Sequence, residues 1–448
     1  MLVRLVVLAA LFGFLFGFDE GVIAGALHLI HHAFHISPTV EGVMTGAVPL
    51  GAIAGAVIAA VMSDALGRRK VLAACAILFA FGSLASALAT GPLVLTLARI
   101  LLGIAIGASA MAAPQFLAEL APPRTRGAVV STFQLMITMG IFFAYLSDML
   151  LEPLGQWRLM LAVGIIPALI AWAGIAHSPE SPRWLVLRGR HDEAAEVLTR
   201  LQPVLAPTEV VATIAEIRDR AERRGPEPGW ADALNPGLRP LVIFTVMAFI
   251  LQQFSGINAV IYYAPRIFAE AGFEGATTQL AATVGLGAIN VLMTLVAMWV
   301  VDRLGRRKLF LIGFAGCFAS LAVIACSTLS ESHHTGYVTA VCLILYMSCF
   351  AVSLGPLPWL FMAELFPLRF RSRGMAIASI ANWSTNFVVV SLFPVMLAAI
   401  GISATFGLFA ACCLLGFIYA WRSAPETKNV SLEKLEASLA RQGRAQPA

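Results

Sequence analysis

Long apolar stretches alternate with short polar gaps along almost the whole chain. A bilayer crossing takes about 20 apolar residues. Spans are expected near 3–27, 40–62, 71–89, 93–118, 128–150 and 157–177, and again near 239–269, 277–301, 309–329, 337–363, 374–399 and 402–421. The pattern predicts an all-α membrane protein with twelve transmembrane helices in two pseudo-symmetric halves of six. The divisions are 1–177 for the first half, 178–238 for a polar insert, 239–421 for the second half and 422–448 for a tail.

The insert has helical periodicity with mixed charge in Glu193–Leu201 and from Glu209 to Arg224, which predicts short amphipathic helices at the membrane surface. Residues 2–18 have the apolar character of a signal peptide. Asp19 and Glu20 interrupt the run and apolar residues resume at once, so the segment reads as a first transmembrane helix. Gly51 with Gly55, and Gly103 with Gly107, recur at four-residue spacing, as tightly packed membrane helices require.

Composition agrees with this picture. Hydrophobic residues make up 59% of the chain, charged residues 12%, and the mean hydropathy is +0.85. A soluble domain carries about 25% charged residues. The net charge of +5 is no sign of nucleic-acid binding, because the lysines and arginines concentrate in alternate loops and the tail. Arg4 precedes the first span, Arg99 lies within a span, and Arg158 and Arg266 fall on the opposite side. That asymmetry predicts a multi-pass plasma-membrane protein, in a bacterium the inner membrane, with both termini cytoplasmic. The seven cysteines lie in apolar segments without a CxxC pair and read as small buried hydrophobes.

One cassette occurs twice. Asp64-Ala-Leu-Gly-Arg-Arg-Lys70 returns as Asp302-Arg-Leu-Gly-Arg-Arg-Lys308, each copy in a gap between two spans. A second pair follows in register, Glu119 with Arg126 and Glu364 with Arg371. A charged loop repeated on one side of a membrane describes a duplicated transporter.

Asp19, inside the first span, is the sharpest candidate for chemistry. A carboxylate there must pair, protonate or face water. Arg99 in the fourth span is its expected partner, and since arginine keeps its charge, the carboxylate is the member that titrates. A permanent ion pair locking two helices is the structural alternative. Glu20 points about 100° away on a helix, which leaves it at the outer vestibule or sharing the proton.

Amides form a second constellation: Gln134, Gln252, Gln253, Asn258, Asn290, Asn382 and Asn386. Carboxamides donate and accept hydrogen bonds and suit a neutral polyhydroxyl ligand better than a phosphate. Gly256 is expected to unwind the seventh span, as in transporters that bind substrate at broken helices. Phe16, Trp359 and Trp383 offer rings for the apolar faces of a sugar, and Gly355-Pro-Leu-Pro358 is expected to bend the tenth span. His28, His31, His32 and His35 form a helical stripe that reads as a solvated face rather than a metal site. Neither GxSxG, a P-loop nor HExxH occurs, and the chain is not expected to be an enzyme or to hold a metal or cofactor.

The doubled Asp…Gly-Arg-Arg loops, Pro179-Glu-Ser-Pro-Arg183, Gln252-Gln253…Asn258 and Pro425-Glu-Thr-Lys428 together resemble the sugar porters of the major facilitator superfamily, above all their bacterial galactose–proton and xylose–proton members. The resemblance covers nearly the whole chain. It implies two six-helix halves rocking about a central cavity, with residues 178–238 as an intracellular helical domain. Asp19 and Arg99 would be the proton-coupling pair. Phe16, Gln134, Gln252, Gln253, Asn258, Asn290, Trp359, Asn382 and Trp383 would contact the sugar. Tyr262 and Tyr263 would form the outer gate. Asp64, Arg68, Arg69, Glu119, Arg126, Asp302, Arg306, Arg307, Glu364 and Arg371 would form the inner gate. The implied partners are a monosaccharide, a proton and the lipid bilayer, and the protein is expected to be monomeric. Passive facilitators often carry a glutamate where this chain has Ala351 and lack the first-span aspartate, so proton symport is expected ahead of uniport. A sugar-sensing receptor or an organic-anion antiporter fits the short tail and the amide-rich cavity less well.

Overall fold

The computed structural model describes residues 2–121, 126–201, 206–222, 229–329, 335–366 and 370–427. The side chains of Arg126, Asp302 and Arg371 lie outside the described residues, as does the tail beyond Thr427. All regular structure among the described residues is helical.

The first half comprises α1 (Leu2–Phe34), α2 (Pro38–Leu66), α3 (Arg68–Ala87), α4 (Pro92–Leu120), α5 (Arg126–Leu151) and a sixth crossing made of α6 (Trp157–Val163) and α7 (Ile165–Ala176). Three short helices fill the insert: α8 (Pro182–Leu187), α9 (His191–Leu201) and α10 (Pro207–Glu222). The second half begins with α11 (Arg239–Gln253) and α12 (Ile257–Glu270), which share one crossing. Then follow α13 (Ala276–Leu304), α14 (Arg306–Ser327), α15 (Thr335–Cys349), a π-helical turn (Phe350–Leu354), α16 (Leu357–Leu365) and α17 (Arg371–Ser423). Eleven segments are long and apolar enough to cross a membrane; the last is a 51-residue run broken at Gly401 (φ 75°), and it makes two crossings. The count is therefore twelve. Successive crossings put both Gly-Arg-Arg loops and the insert on one face, called here the cassette face. The turns after α1, α3, α5, α12 and α14 lie on the far face.

The first helix runs to Phe34, beyond its expected end at residue 27. His28, His31 and His32 are exposed at its tip, and a helix continues into water as readily as a loop because its backbone is already hydrogen-bonded. His35, at φ 49°, ends it, so the histidine stripe stops being a helix face there. In the insert, α9 buries Ala194, Val197, Leu198 and Leu201, the periodic apolar face read from the sequence.

The glycines at four-residue spacing meet one another. A Cβ on Gly51 would stand 2.2 Å from the Ile100 carbonyl oxygen, and one on Gly103 would stand 2.2 Å from that of Val48. Helices α2 and α4 thus touch backbone to backbone, the contact that van der Waals packing favours where no water drives association. Between the halves, α2 packs as closely on α17, with Gly42 against the Ser391 carbonyl.

Candidate coupling and substrate site

Asp19 and Arg99 are 3% and 0% exposed, and Asp19 Oδ2 lies 3.7 Å from Arg99 Nη2. A charge-assisted hydrogen bond spans about 2.7–2.9 Å. Asp19 Oδ2 and both terminal guanidinium nitrogens have no hydrogen-bond partner. Arg99 is anchored instead through Nε, which donates to the Met44 carbonyl of α2 at 3.2 Å. The arginine is thus held by its stem and only loosely engaged by the carboxylate. A small pocket of about 10 Å³ lies beside Asp19, lined by Ser83 and Ser86 of α3 among others. Glu20 is 4% exposed, so with the far side shut it is buried rather than open to a vestibule.

The broken seventh crossing forms at Gly256, as expected. Its φ of 87° is open to glycine, and a Cβ there would meet the Phe409 ring at 2.4 Å. The break fans out the amides before it. Gln252 Nε2 donates to the Leu354 carbonyl at 2.7 Å, at the bend between the π-helical turn and α16. Asn258 Nδ2 donates to Gln253 Oε1, and Gln253 Nε2 donates to Asn382 Oδ1, each at 2.7 Å. A directed amide chain therefore links α12, α11 and α17. Gln252 Oε1 and Asn386 Oδ1 remain without donors, and a ligand hydroxyl would satisfy either.

The Trp383 and Phe16 rings meet at 5.4 Å across the two halves, and Trp359 lies edge-on to Phe249 at 4.9 Å. Gln134 on α5 is half-buried and Asn290 on α13 is buried. Neither amide is hydrogen-bonded among the described residues, so the structure does not join them to the chain of Gln253, Asn258 and Asn382.

Tyr262 and Tyr263 are fully buried near the far face. Prolines explain what surrounds them. Pro265 lacks the N–H that would bond to Ile261, and Pro394 leaves Val390 in the same position. Tyr145 of the first half donates to the Ile261 carbonyl at 2.7 Å, and Tyr263 donates to that of Val390 at 3.2 Å. Glu41 of α2 pairs with Arg266 of α12 at 2.8 Å. Among the described residues, the Tyr145 hydrogen bond and the Glu41–Arg266 ion pair join the halves on the far side. Tyr145, Glu41 and Asp148 were not singled out from the sequence; the two prolines were the available signal for Tyr145.

The cassettes are built alike. Gly67 and Gly305 turn at φ 95° and 86° to start α3 and α14. Arg68 Nε lies 3.2 Å from Glu119, and Arg306 Nη2 lies 3.1 Å from Glu364. Asp64 pairs with Arg68 at 3.0 Å. Arg69 and Arg307 donate instead to the carbonyls of Ser178 and Trp421, at 3.0 and 2.7 Å. Glu180 accepts from the Arg69 backbone N–H, and Glu426 from those of Arg306 and Arg307. Ser181 and Thr427 donate to Glu119 and Glu364. The Pro-Glu-Ser run at 179 and the Pro-Glu-Thr run at 425 are therefore a third repeated motif, serving the same purpose in each half. Carboxylates at helix N-termini satisfy orphan N–H groups and favour the helix dipole.

The sequence model of the sugar (and other) transporter family matches residues 5–439. The galactose-proton symporter of Escherichia coli (strain K12) is 40% identical over 381 residues, 84% of this chain and 81% of that protein. A partially occluded inward open conformation of the xylose transporter XylE from E. coli superposes with a TM-score of 0.85 at 28% identity, covering 96% of this chain and 99% of that one. XylE described as a major facilitator superfamily proton:xylose symporter bound to 6-bromo-6-deoxy-D-glucose superposes at 0.80 and 29% identity, covering 98% and 99%.

Proposed function

This chain belongs to the sugar (and other) transporter family, and on that premise we propose that it carries a monosaccharide, a hexose or a pentose, across the bilayer together with a proton. The observation that carries the reading is the Asp19–Arg99 pair, buried, 3.7 Å apart and not hydrogen-bonded. A structural ion pair within lipid would be expected to close to hydrogen-bond distance. A carboxylate that must alternately hold a proton and face an arginine needs an engagement that breaks easily. The relatives with proton-coupled transport of galactose and xylose support the same reading.

The cycle follows from the geometry. With the far side open, Asp19 takes a proton and releases Arg99. The sugar then binds Gln252, Gln253, Asn258 and Asn382 and stacks on Phe16 and Trp383, with Gln134, Asn290 and Trp359 completing the site as the halves rock. Tyr262, Tyr263 and Tyr145 close the far side, which is its condition in this structure. The two cassettes, each held together by salt bridges within its own half, separate from one another, sugar leaves on the cassette face, and Asp19 loses its proton there. The cassette face is cytoplasmic on this reading, both termini lie on it, and the two halves act as one monomeric unit. Residues 178–238 form the intracellular helical domain, docked on the first cassette through Ser178, Glu180 and Ser181. One charge crossing the membrane is worth about 2.3 kcal/mol per 100 mV, which corresponds to roughly fiftyfold sugar accumulation.

Counterflow in proteoliposomes with a panel of hexoses and pentoses identifies the sugar, and net influx of that sugar down its gradient, recorded together with external pH, tests the coupling. Sugar-dependent alkalinisation on the far side is expected. Net influx without any proton movement would leave a uniporter.

A further inference from the structure

Among the described residues, four carboxylates are buried in the membrane part: Asp19, Glu20, Glu41 and Asp148. Asp19 faces Arg99 and Glu41 faces Arg266. Glu20 and Asp148 have no cation. Glu20 makes no hydrogen bond or ion pair among the described residues. Asp148 accepts only from the Gly25 backbone N–H at 3.2 Å, and its Oδ1 has no partner.

The surroundings of Glu20 place it at the seam between the halves. One residue along a helix is a turn of about 100°, so where Asp19 looks into its own half at Arg99 of α4, Glu20 is turned away from it. The hydroxyls of Tyr145 on α5 and Tyr262 on α12 are both within electrostatic reach of Glu20. Tyr145 is the residue that bonds to the Ile261 carbonyl of the other half. The Tyr262 hydroxyl is buried and has no partner. The titratable groups that interact with Glu20 are Asp19 on its own helix, Tyr145 on α5 and Tyr262 on α12. None of these is a cation, and Arg99, which also acts on Tyr262, is opposite Asp19. An isolated carboxylate is far costlier to bury than a carboxylic acid.

We propose that Glu20 is a second proton-binding site, separate from Asp19, whose protonation is required for the far side to close. When the halves part on the far side, the seam at Tyr145 and Tyr262 opens and water reaches the Glu20 carboxylate. When they close, the carboxyl enters a pocket with no cation and takes a proton with it. Its hydroxyl then has the unpartnered Tyr262 oxygen within its surroundings. The seam at Tyr145 and Tyr262 is the path by which this proton enters and leaves, so it is drawn from the far side and returned to it when that side reopens. Glu20 therefore adds a pH-sensitive latch and leaves the proton-to-sugar ratio to Asp19. By linkage, closure that takes up one proton is favoured by acid on the far side, by up to about tenfold per pH unit, and loses that advantage as pH rises. The inference rests on the alternating-access reading above.

Spin labels at Thr39→Cys and Glu274→Cys, two exposed far-face positions of opposite halves, the first at the start of α2 and the second in the turn after α12, report far-side closure as a short distance. In Asp19→Asn protein, with the coupling carboxylate neutralised, the short-distance population is expected to grow as pH falls from about 8 to about 5, a window above the ordinary glutamate value of about 4.3 in which only a buried carboxyl takes up a proton. Adding Glu20→Gln is expected to hold it closed across that range. A pH response that vanishes in Asp19→Asn alone, with Glu20 present, overturns the proposal without needing a Glu20 variant to fold. A response that survives Glu20→Gln overturns it too. A distance that responds to sugar but not to pH in Asp19→Asn sinks the latch and spares transport; a distance that responds to neither sinks both.

Discussion

The Tyr145 hydroxyl donates to the Ile261 carbonyl at 2.7 Å, joining the two halves at an oxygen that Pro265 leaves without its helical donor. On the alternating-access reading, opening the far side breaks this bond. Tyr145→Phe would strand a buried carbonyl at a cost of about 1–3 kcal/mol, charged to the closed state alone. The far-open population should then rise about fivefold or more, since about 1.4 kcal/mol is a factor of ten. The far-face spin-label distance reads this directly; an unchanged distribution would show that the bond is not part of the closure.

Asp19→Asn should abolish uphill sugar uptake while sugar counterflow persists. An amide keeps the size and hydrogen-bonding capacity of the carboxyl but carries no titrating proton. Accumulation against a gradient in proteoliposomes, with and without an imposed pH difference, separates the two. Undiminished accumulation would remove Asp19 from the coupling step.

Arg99 is fully buried, so Arg99→Met leaves Asp19 without a counter-charge. Breaking a buried pair from one side costs about 3–5 kcal/mol. Arg99→Met should therefore lower the unfolding temperature in detergent well below that of the double variant Asp19→Asn/Arg99→Met, in which no charge is stranded. Equal losses in the two would indicate that the guanidinium acts by packing rather than by charge.

In the amide chain, Gln253 occupies the middle, accepting from Asn258 and donating to Asn382. Gln253→Ala removes a contact and disorders two others. With about 0.5–1.5 kcal/mol per hydrogen bond, sugar affinity should fall roughly tenfold or more, while the proton-coupled movement of saturating sugar continues. Equilibrium binding of the sugar identified by counterflow measures it.

Glu180 and Glu426 each cap a helix that opens with an arginine pair, so Glu180→Ala and Glu426→Ala should behave alike. Loss of a cap costs about 0.5–2 kcal/mol. Each variant should melt slightly earlier, and transport should fall by similar factors if the cassettes are equivalent parts of one gate. A large effect from one and none from the other would break the functional symmetry.

Much of this was legible in the sequence because the bilayer imposes strong local rules. Segment length, the alternation of loop charge and the spacing of glycines each follow from what lipid excludes, and Gly51, Gly103 and Gly256 did what their positions implied. The pairing of Asp19 with Arg99 was legible for the same reason: an isolated charge within a span needs a partner, and there were few to choose from. What escaped was the seam. Tyr145, Ile261 and Glu41 look like ordinary membrane or helix-end residues until α5, α2 and α12 are laid together. The Pro-Glu-Ser and Pro-Glu-Thr runs were visible as motifs, yet their common task as helix caps appeared only once each was seen docked on its cassette.

The sequence by itself determined the crossings, the duplication and the side on which the charge gathers, since these depend on each segment's own balance between lipid and water. Tertiary structure alone decided which buried polar groups are matched and which are not. Asp19 has a cation across the helix interface and Glu20, its neighbour in the chain, has none. One residue's rotation about α1 makes that difference, and only the packing of α4, α5 and α12 around it assigns the partners.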